Sequence, residues 1–130
     1  SIGSITAISS LAIVPLMKSL IDRPRPTADL IQVMTSNGGQ SFPSGHAVYA
    51  TVFYGFIIYL STGLFRRKIT VSIICVSLSV LIVLTMLSRI YLGGHWLSDV
   101  MGGFLFGVIV LMISIIFYRY FLFRYRGRKE

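Results

Sequence analysis

Long apolar runs separated by short polar segments make up most of the chain. Four stretches contain no Asp, Glu, Lys, Arg or His, at residues 1–17, 47–65, 69–88 and 100–118. Helices of that length, at ~1.5 Å per residue, match a hydrocarbon core of about 30 Å. Because a chain in lipid must satisfy its own backbone hydrogen bonds, the pattern predicts an all-α polytopic membrane bundle. We place four spanning helices at about residues 1–20, 46–65, 69–89 and 96–118.

The composition agrees with a membrane protein and excludes an ordinary soluble domain. Of the 130 residues, 55% are hydrophobic and only 12% are charged, and the mean hydropathy is +0.81. The net charge of +8 is also typical of proteins that bind nucleic acid. Here, however, most basic residues flank the apolar runs, as they do in the loops of membrane proteins. We therefore expect a membrane protein with no nucleic-acid partner.

The chain is expected to form a single transmembrane domain over residues 1–130. It contains one long connection, residues 22–45, and it ends in a basic tail, residues 119–130. The sequence has no initiator Met and no basic segment before its first apolar run. We therefore expect it to be a piece of a longer protein.

The distribution of charge predicts how the helices are oriented in the membrane. Because successive spans alternate in direction, the polar segments fall on two faces. One face carries eight basic residues and one acidic residue, Glu130: Arg66, Arg67, Lys68, Arg119, Arg124, Arg126, Arg128 and Lys129. The other carries both histidines and a nearly balanced set of charges: Lys18, Arg23, Arg25 and Arg89 with Asp22, Asp29 and Asp99. The positive-inside rule places the first face in the cytoplasm and the histidine face outside it.

The stretch SRIYLGGHWLSD, residues 88–99, has the most unusual polar content. It places His95 and Asp99 four residues apart beside an apolar run. If the last helix begins near His95, the two side chains lie one turn apart on the same face. A carboxylate in that position would hold the imidazole in one tautomer, as in hydrolase triads.

Two further polar clusters fall on the same face of the membrane. Lys18 precedes Arg25 and Pro26 at the end of the first span, and residues 43–46, PSGH, precede the second span. Helix N-termini near residues 44 and 95 would direct free backbone N–H groups towards an anion. Each feature alone has a structural explanation, such as a helix cap or a snorkelling lysine. Together the clusters predict a phosphate site that contains two histidines.

These residues resemble the three signature motifs of the type 2 phosphatidic acid phosphatase family, whose site is shared with vanadium haloperoxidases. Residues 18–26 fit K-x6-R-P, residues 43–46 fit P-S-G-H, and residues 88–99 fit S-R-x5-H-x3-D. Integral membrane members of that family have six helices. The resemblance therefore implies that this chain is the C-terminal part of such a protein and lacks two upstream helices.

The resemblance implies that residues 1–130 form a catalytic domain in which residues 22–45 are the active-site loop. It also implies a role for each motif residue. His95 would be the nucleophile, Asp99 would accept a hydrogen bond from its second nitrogen, and His46 would be the general acid and base. The remaining motif residues would bind the substrate phosphate: Lys18, Arg25, Ser44, Gly45 and Arg89. No cofactor or metal is expected, because the basic residues already neutralise the phosphate. Arg23 is left outside the predicted site because Arg25 holds the motif position, and Ser88 is expected to make local hydrogen bonds only.

A lipid phosphate or pyrophosphate is the expected substrate, because a headgroup reaches such a site while its tails stay in the bilayer. We expect the bacterial plasma membrane as the location, with the site on the extracytoplasmic face. Three alternatives remain open: a phosphatase for a soluble phosphate ester, a non-catalytic anion-binding or transport protein, and a folded piece that is inactive without its upstream helices. The sequence does not select the lipid or the oligomeric state.

Overall fold

The structure, a computed structural model, describes residues 14–26 and 39–126. Residues 14–21 are helical and form the described part of helix α1. Three long helices follow: α2 (Gly45–Leu64), α3 (Lys68–Tyr91) and α4 (Leu97–Arg126). All three are long and apolar enough to cross a membrane. The described part of the chain contains no strand, so the predicted all-α membrane fold is confirmed.

Three of the four predicted spans agree closely with the helix bounds, with one difference at the C-terminus. Helices α2 and α3 begin and end within two residues of their predicted limits. Helix α4, however, continues through residues 119–126, which were predicted as tail. This segment contains no Gly or Pro, and basic side chains near a helix C-terminus interact favourably with the helix dipole. Residues 1–13 of the first predicted span, residues 27–38 of the active-site loop and residues 127–130 lie outside the described residues.

Helix α2 lies between α3 and α4 and packs against both of them. The G-x-x-x-G pair of α4 allows a close approach to α2. A Cβ atom on Gly103 would lie 2.7 Å from the Ser44 carbonyl oxygen, and one on Gly107 would lie 2.8 Å from Thr51 Cβ. Both glycines therefore serve close packing between the two helices, as this motif often does in membrane proteins.

The apolar core is small and involves three helices. Val48 and Val52 of α2 and Val110 of α4 are buried, and Val14 of α1 and Phe106 of α4 pack against them. Helix α3 has no buried residue, so its apolar side chains are available to lipid or to other protein segments. The core holds α1, α2 and α4 together just below the polar end of the bundle.

Three hydrogen bonds tie the connecting segments together at that polar end. The main-chain N–H of Ser41 donates to the Arg23 carbonyl at 2.8 Å, and that of Ser44 donates to the Asp99 carbonyl at 3.0 Å. The Trp96 indole N–H donates to the Pro24 carbonyl at 3.1 Å. The end of α1, the start of α2 and the α3–α4 connection are thereby held side by side. These are the three segments that carry the sequence motifs.

Candidate active site

His95 lies in the connection before α4 and is almost completely buried. Its Nδ1 atom is 2.8 Å from the main-chain oxygen of Ser41. A carbonyl oxygen only accepts hydrogen bonds, so Nδ1 must carry the proton and Nε2 keeps its lone pair. Burial, helped by the positive charge of Arg25, lowers the pKa of His95 to about 4. At neutral pH the imidazole is therefore uncharged, with Nε2 in the form that attacks an electrophile.

Asp99 is fully buried, but it does not accept a hydrogen bond from His95 as predicted. Its Oδ2 atom lies 3.9 Å from His95 Nδ1, which is beyond hydrogen-bond distance. The reason is that the main-chain carbonyl of Ser41 takes the Nδ1 proton of His95. Oδ2 instead accepts the main-chain N–H of Trp96 at 2.9 Å and the Ser41 hydroxyl. Asp99 thus stabilises the start of α4 and holds Ser41 in place.

Arg23, which the sequence analysis left outside the site, pairs with the other oxygen of Asp99. Its Nη1 atom lies 2.8 Å from Oδ1 and also donates to the Ser98 hydroxyl at 2.7 Å. The guanidinium carbon lies 5.9 Å from the centre of the Trp96 ring, within cation–π distance. Arg23 therefore neutralises the buried carboxylate and fixes its orientation.

The three predicted basic phosphate ligands all act electrostatically on His46, and two of them, Lys18 and Arg25, also act on His95. Arg25 donates from Nε to the Gly39 carbonyl at 3.2 Å and from Nη1 to the Gly94 carbonyl at 3.1 Å. These bonds hold its guanidinium between the active-site loop and the α3–α4 connection. The three basic side chains all interact electrostatically with His46: Lys18, Arg25 and Arg89. The structure therefore brings the positive charges of all three motifs to one place.

Arg89 and Ser88 lie in the last turn of α3. Arg89 Nε donates to the Ser88 hydroxyl at 3.3 Å, and that hydroxyl donates to the Thr85 carbonyl at 2.7 Å. Ser88 makes the local hydrogen bonds expected of it. Its contact with Nε also helps to orient the Arg89 guanidinium.

Ser44 carries a buried hydroxyl with no hydrogen-bond partner among the described residues. Ser44 is the N-cap residue of α2, yet its side chain makes no capping bond. A buried hydroxyl without a partner is energetically unfavourable. The hydroxyl is therefore a free donor at a helix N-terminus, where an anion is favoured.

Gly45 and His46 form the first turn of α2 beside this hydroxyl. A Cβ atom on Gly45 would make only an ordinary contact, 3.6 Å from Val14 Cγ1. Protein packing therefore does not require glycine there, whereas close approach of a ligand to the backbone would favour it. His46 is exposed, so its imidazole is accessible to a substrate at the same helix end.

The donor set suits an anion better than a metal ion. It consists of ammonium, guanidinium, hydroxyl and main-chain N–H groups, which are the groups that bind phosphate oxygens. Within residues 14–26 and 39–126, no cluster of three or more His, Cys, Asp or Glu side chains could hold a metal ion. The arrangement is therefore chemically suited to an anion such as phosphate.

Sequence reasoning missed Ser41, the residue that contacts both His95 and Asp99. Ser41 is fully buried two residues before Pro43. It belongs to no motif, and its key contact with His95 uses the main chain, which leaves no trace in residue type. Its only sequence signal is a polar residue next to a motif.

Comparisons with known proteins show to which family the chain is related. The family model described as the PAP2 superfamily matches residues 1–123, which include all three motifs. Phosphatidylglycerophosphatase B of Bacillus subtilis (strain 168) is 34% identical over 102 residues, covering 75% of this chain and 47% of the relative.

A solved structure is also similar: the crystal structure of a transmembrane PAP2-type phosphatidylglycerolphosphate phosphatase from Bacillus subtilis. It superposes with a TM-score of 0.79 at 27% identity, over 88% of this chain and 56% of that one. The chain thus spans about half the length of the relatives that it matches. Because the family model matches nearly the whole chain and the fold agrees, the chain belongs to the PAP2 superfamily.

Proposed function

We propose that this chain is a membrane phosphatase that hydrolyses a lipid phosphate or pyrophosphate monoester through a phosphohistidine intermediate, without a metal ion. The observation that carries the proposal is the state of His95. Its Nδ1 proton is bound by a carbonyl oxygen, its Nε2 has no hydrogen-bond partner among the described residues, and its pKa of about 4 keeps it neutral. Such an imidazole, beside a cluster of phosphate donors, is suited to attack phosphorus.

In the first step, His95 Nε2 attacks phosphorus and the bond from phosphorus to the leaving oxygen breaks. His46 donates a proton to that oxygen, so the lipid alcohol, or a lipid monophosphate in the case of a pyrophosphate, leaves in neutralised form. In the second step, His46 takes a proton from water, and the resulting hydroxide attacks phosphorus. The phosphorus–nitrogen bond breaks, phosphate is released and His95 regains its lone pair.

The surrounding donors stabilise the charge on the equatorial oxygens during both steps. They are the side chains of Lys18, Arg25, Arg89 and Ser44 and the main-chain N–H of Gly45. A fixed donor of this kind typically contributes about 100- to 1,000-fold in rate. Three cationic side chains supply the charge that a metal ion provides in other phosphatases, which is why we propose a metal-independent reaction.

A lipid substrate is favoured by where the site lies in the molecule. His46 is in the first turn of α2 and His95 directly precedes α4, and both helices are apolar enough to span a membrane. A headgroup at that depth would meet the phosphate donors while its tails remain in the bilayer. The name of the Bacillus subtilis relative, a phosphatidylglycerophosphatase, supports a lipid phosphate. The distribution of basic residues favours the extracytoplasmic face for the site.

The test is a phosphate-release assay on the purified protein in detergent, with several lipid phosphates, one lipid pyrophosphate and one soluble phosphate ester. We expect release from a lipid substrate, loss of release in His95→Ala, inhibition by vanadate and full activity in EDTA. The chain is assayed beside a longer version that carries the upstream helices of the family. If only the longer version releases phosphate, the site is competent but needs those helices.

Three results would contradict the proposal: unchanged release in His95→Ala, activity that needs a divalent metal, or phosphate binding without release in both versions. Faster turnover of the soluble ester than of every lipid would reject the lipid substrate alone.

A further inference from the structure

We infer that Ser41 and Arg23 are positioning residues, through which the buried carboxylate of Asp99 acts on the nucleophile His95. The inference rests on the proposed function, because it assumes that His95 attacks phosphorus. It assigns roles to two residues that are not among the fixed residues of the three motifs. It also replaces a direct Asp99–His95 hydrogen bond with an indirect connection.

Ser41 lies between the imidazole and the carboxylate. Its main-chain oxygen accepts the Nδ1 proton of His95 at 2.8 Å, and its hydroxyl donates to Asp99 Oδ2. Both groups belong to one fully buried residue. The position of the Asp99 carboxylate is therefore transmitted to the imidazole through a single residue.

Asp99 and His95 cannot form a direct hydrogen bond in this geometry. Nδ1 has one proton, which is directed to the Ser41 carbonyl, and the nearest Asp99 oxygen is 3.9 Å away. That oxygen already accepts the Ser41 hydroxyl and the main-chain N–H of Trp96. The carboxylate therefore orients His95 by holding Ser41 in place.

Arg23 completes a closed set of contacts around Ser41. Its guanidinium binds Asp99 Oδ1 at 2.8 Å, and its main-chain carbonyl accepts the Ser41 N–H at 2.8 Å. Arg23 thus holds both the carboxylate and the backbone of Ser41. Because Asp99 is fully buried, loss of the guanidinium would remove the ion pair that compensates a buried charge. The orientation of Ser41 would then be less well defined.

The experiment measures the tautomer of His95 directly and the kinetics in parallel. The chain contains only two histidines, so His46→Gln leaves His95 as the sole imidazole for ¹⁵N NMR in detergent micelles. In that background we expect the Nδ1–H tautomer alone. Adding Ser41→Ala or Arg23→Gln should produce a mixture of tautomers, whereas Ser41→Thr, which keeps the hydroxyl, should preserve the single form.

The kinetic measurements use the same substitutions with His46 intact. Ser41→Ala should lower kcat by about 10- to 100-fold while KM changes little, because the donors that bind phosphate are untouched. Ser41→Thr should recover most of kcat. The double variant Asp99→Asn with Ser41→Ala should be no less active than Asp99→Asn alone, because both substitutions disrupt the same hydrogen bond between Ser41 and Asp99. Ser19→Ala is the control, since its exposed hydroxyl bonds only the local Leu16 carbonyl.

An unchanged tautomer and an unchanged kcat in Ser41→Ala would overturn the inference, and so would additive losses in the double variant. If Ser41→Ala does not fold, Arg23→Gln is used for the same test. The Arg23 side chain is partly exposed, so its replacement should disturb folding less than a change at the buried Ser41. The NMR result does not depend on turnover. A protein that releases no phosphate but shows the expected tautomers would reject the proposed function and retain the positioning role.

Discussion

The main-chain oxygen of Ser41 lies 2.8 Å from Nδ1 of His95, and this contact determines the chemistry of the imidazole. A carboxylate in the same place would attract the Nδ1 proton more strongly and favour the charged imidazole. The neutral carbonyl fixes the same tautomer without adding a negative charge. Burial and the nearby cations then keep the pKa of His95 low.

Titration of His95 follows from this environment. In the His46→Gln background, NMR should show a pKa of about 4 for His95 rather than its ordinary value near 6.5. Replacing Arg25 with Gln removes a positive charge and should raise the pKa. The free energy of unfolding should therefore depend on pH. Between pH 6.5 and about 4 the unfolded chain binds the proton more readily, so stability should fall as the pH falls through that window. A His95 pKa near 6.5 that does not respond to Arg25→Gln would contradict the electrostatic account.

Removal of the Ser44 hydroxyl should lower activity without lowering thermal stability. Ser44→Ala deletes a buried donor that has no partner among the described residues, so thermal stability should stay the same or rise slightly. If that donor binds the substrate phosphate, kcat/KM should fall by about 100-fold. The matched control is Ser61→Ala, whose buried hydroxyl bonds the Ile58 carbonyl on the same helix and far along it from the site. Full activity in Ser44→Ala would remove Ser44 from the phosphate site.

The close approach of α4 to α2 gives a prediction about packing. A methyl group on Gly103 would lie 2.7 Å from the Ser44 carbonyl oxygen, which is main chain and cannot move without shifting the start of α2. Gly103→Ala should therefore destabilise the protein by about 1–3 kcal/mol and also reduce kcat, as measured by thermal unfolding in detergent and by phosphate release. Gly63→Ala is the control, because its added methyl group meets nothing within 4 Å. Equal stability and activity in the two variants would show that the helices are not packed this closely.

Arg25 should not be replaceable by lysine, although the charge is kept. Its Nε and Nη1 atoms donate to the carbonyls of Gly39 and Gly94, and one ammonium group cannot reproduce this planar pair of donors. Arg25→Lys should raise KM and lower kcat/KM by about 10-fold or more, because one lost donor is worth at least that much. The comparison is Arg67→Lys at the α2–α3 connection, which is exposed and distant from the motifs in the sequence. If Arg25→Lys keeps the kinetic constants of the wild type, the guanidinium geometry is not needed.

The sequence was sufficient for the spanning helices and for the residues that meet at the site. Uninterrupted apolar runs gave α2, α3 and α4 to within two residues, except at the end of α4, where basic residues did not stop the helix. The motifs identified the basic residues near the histidines, because a motif is recognised by the chemical type of its side chains. The spacing of His95 and Asp99 was less informative. It implied a direct hydrogen bond between the two side chains, but they lie 3.9 Å apart, and a main-chain carbonyl accepts the Nδ1 proton of His95 instead.

Two positioning residues could not be found by pattern because their roles depend on the folded chain. Ser41 acts on His95 through its backbone, which any residue possesses. Arg23 and Arg25 are two residues apart and chemically identical, yet Arg23 is directed to Asp99 and Arg25 to the carbonyls of two glycines. Only the positions of the connecting segments distinguish them.

The most direct test of the account is to trap the covalent intermediate during turnover. The protein is mixed with a lipid phosphate, quenched at alkaline pH within the first turnover and analysed by peptide mass spectrometry. The account predicts one phosphate on His95, absent from His95→Ala and accumulated in His46→Gln, which lacks the base that activates water. Phosphate release with no phosphorylated His95 peptide at any quench time, or release that persists in His95→Ala, would contradict it.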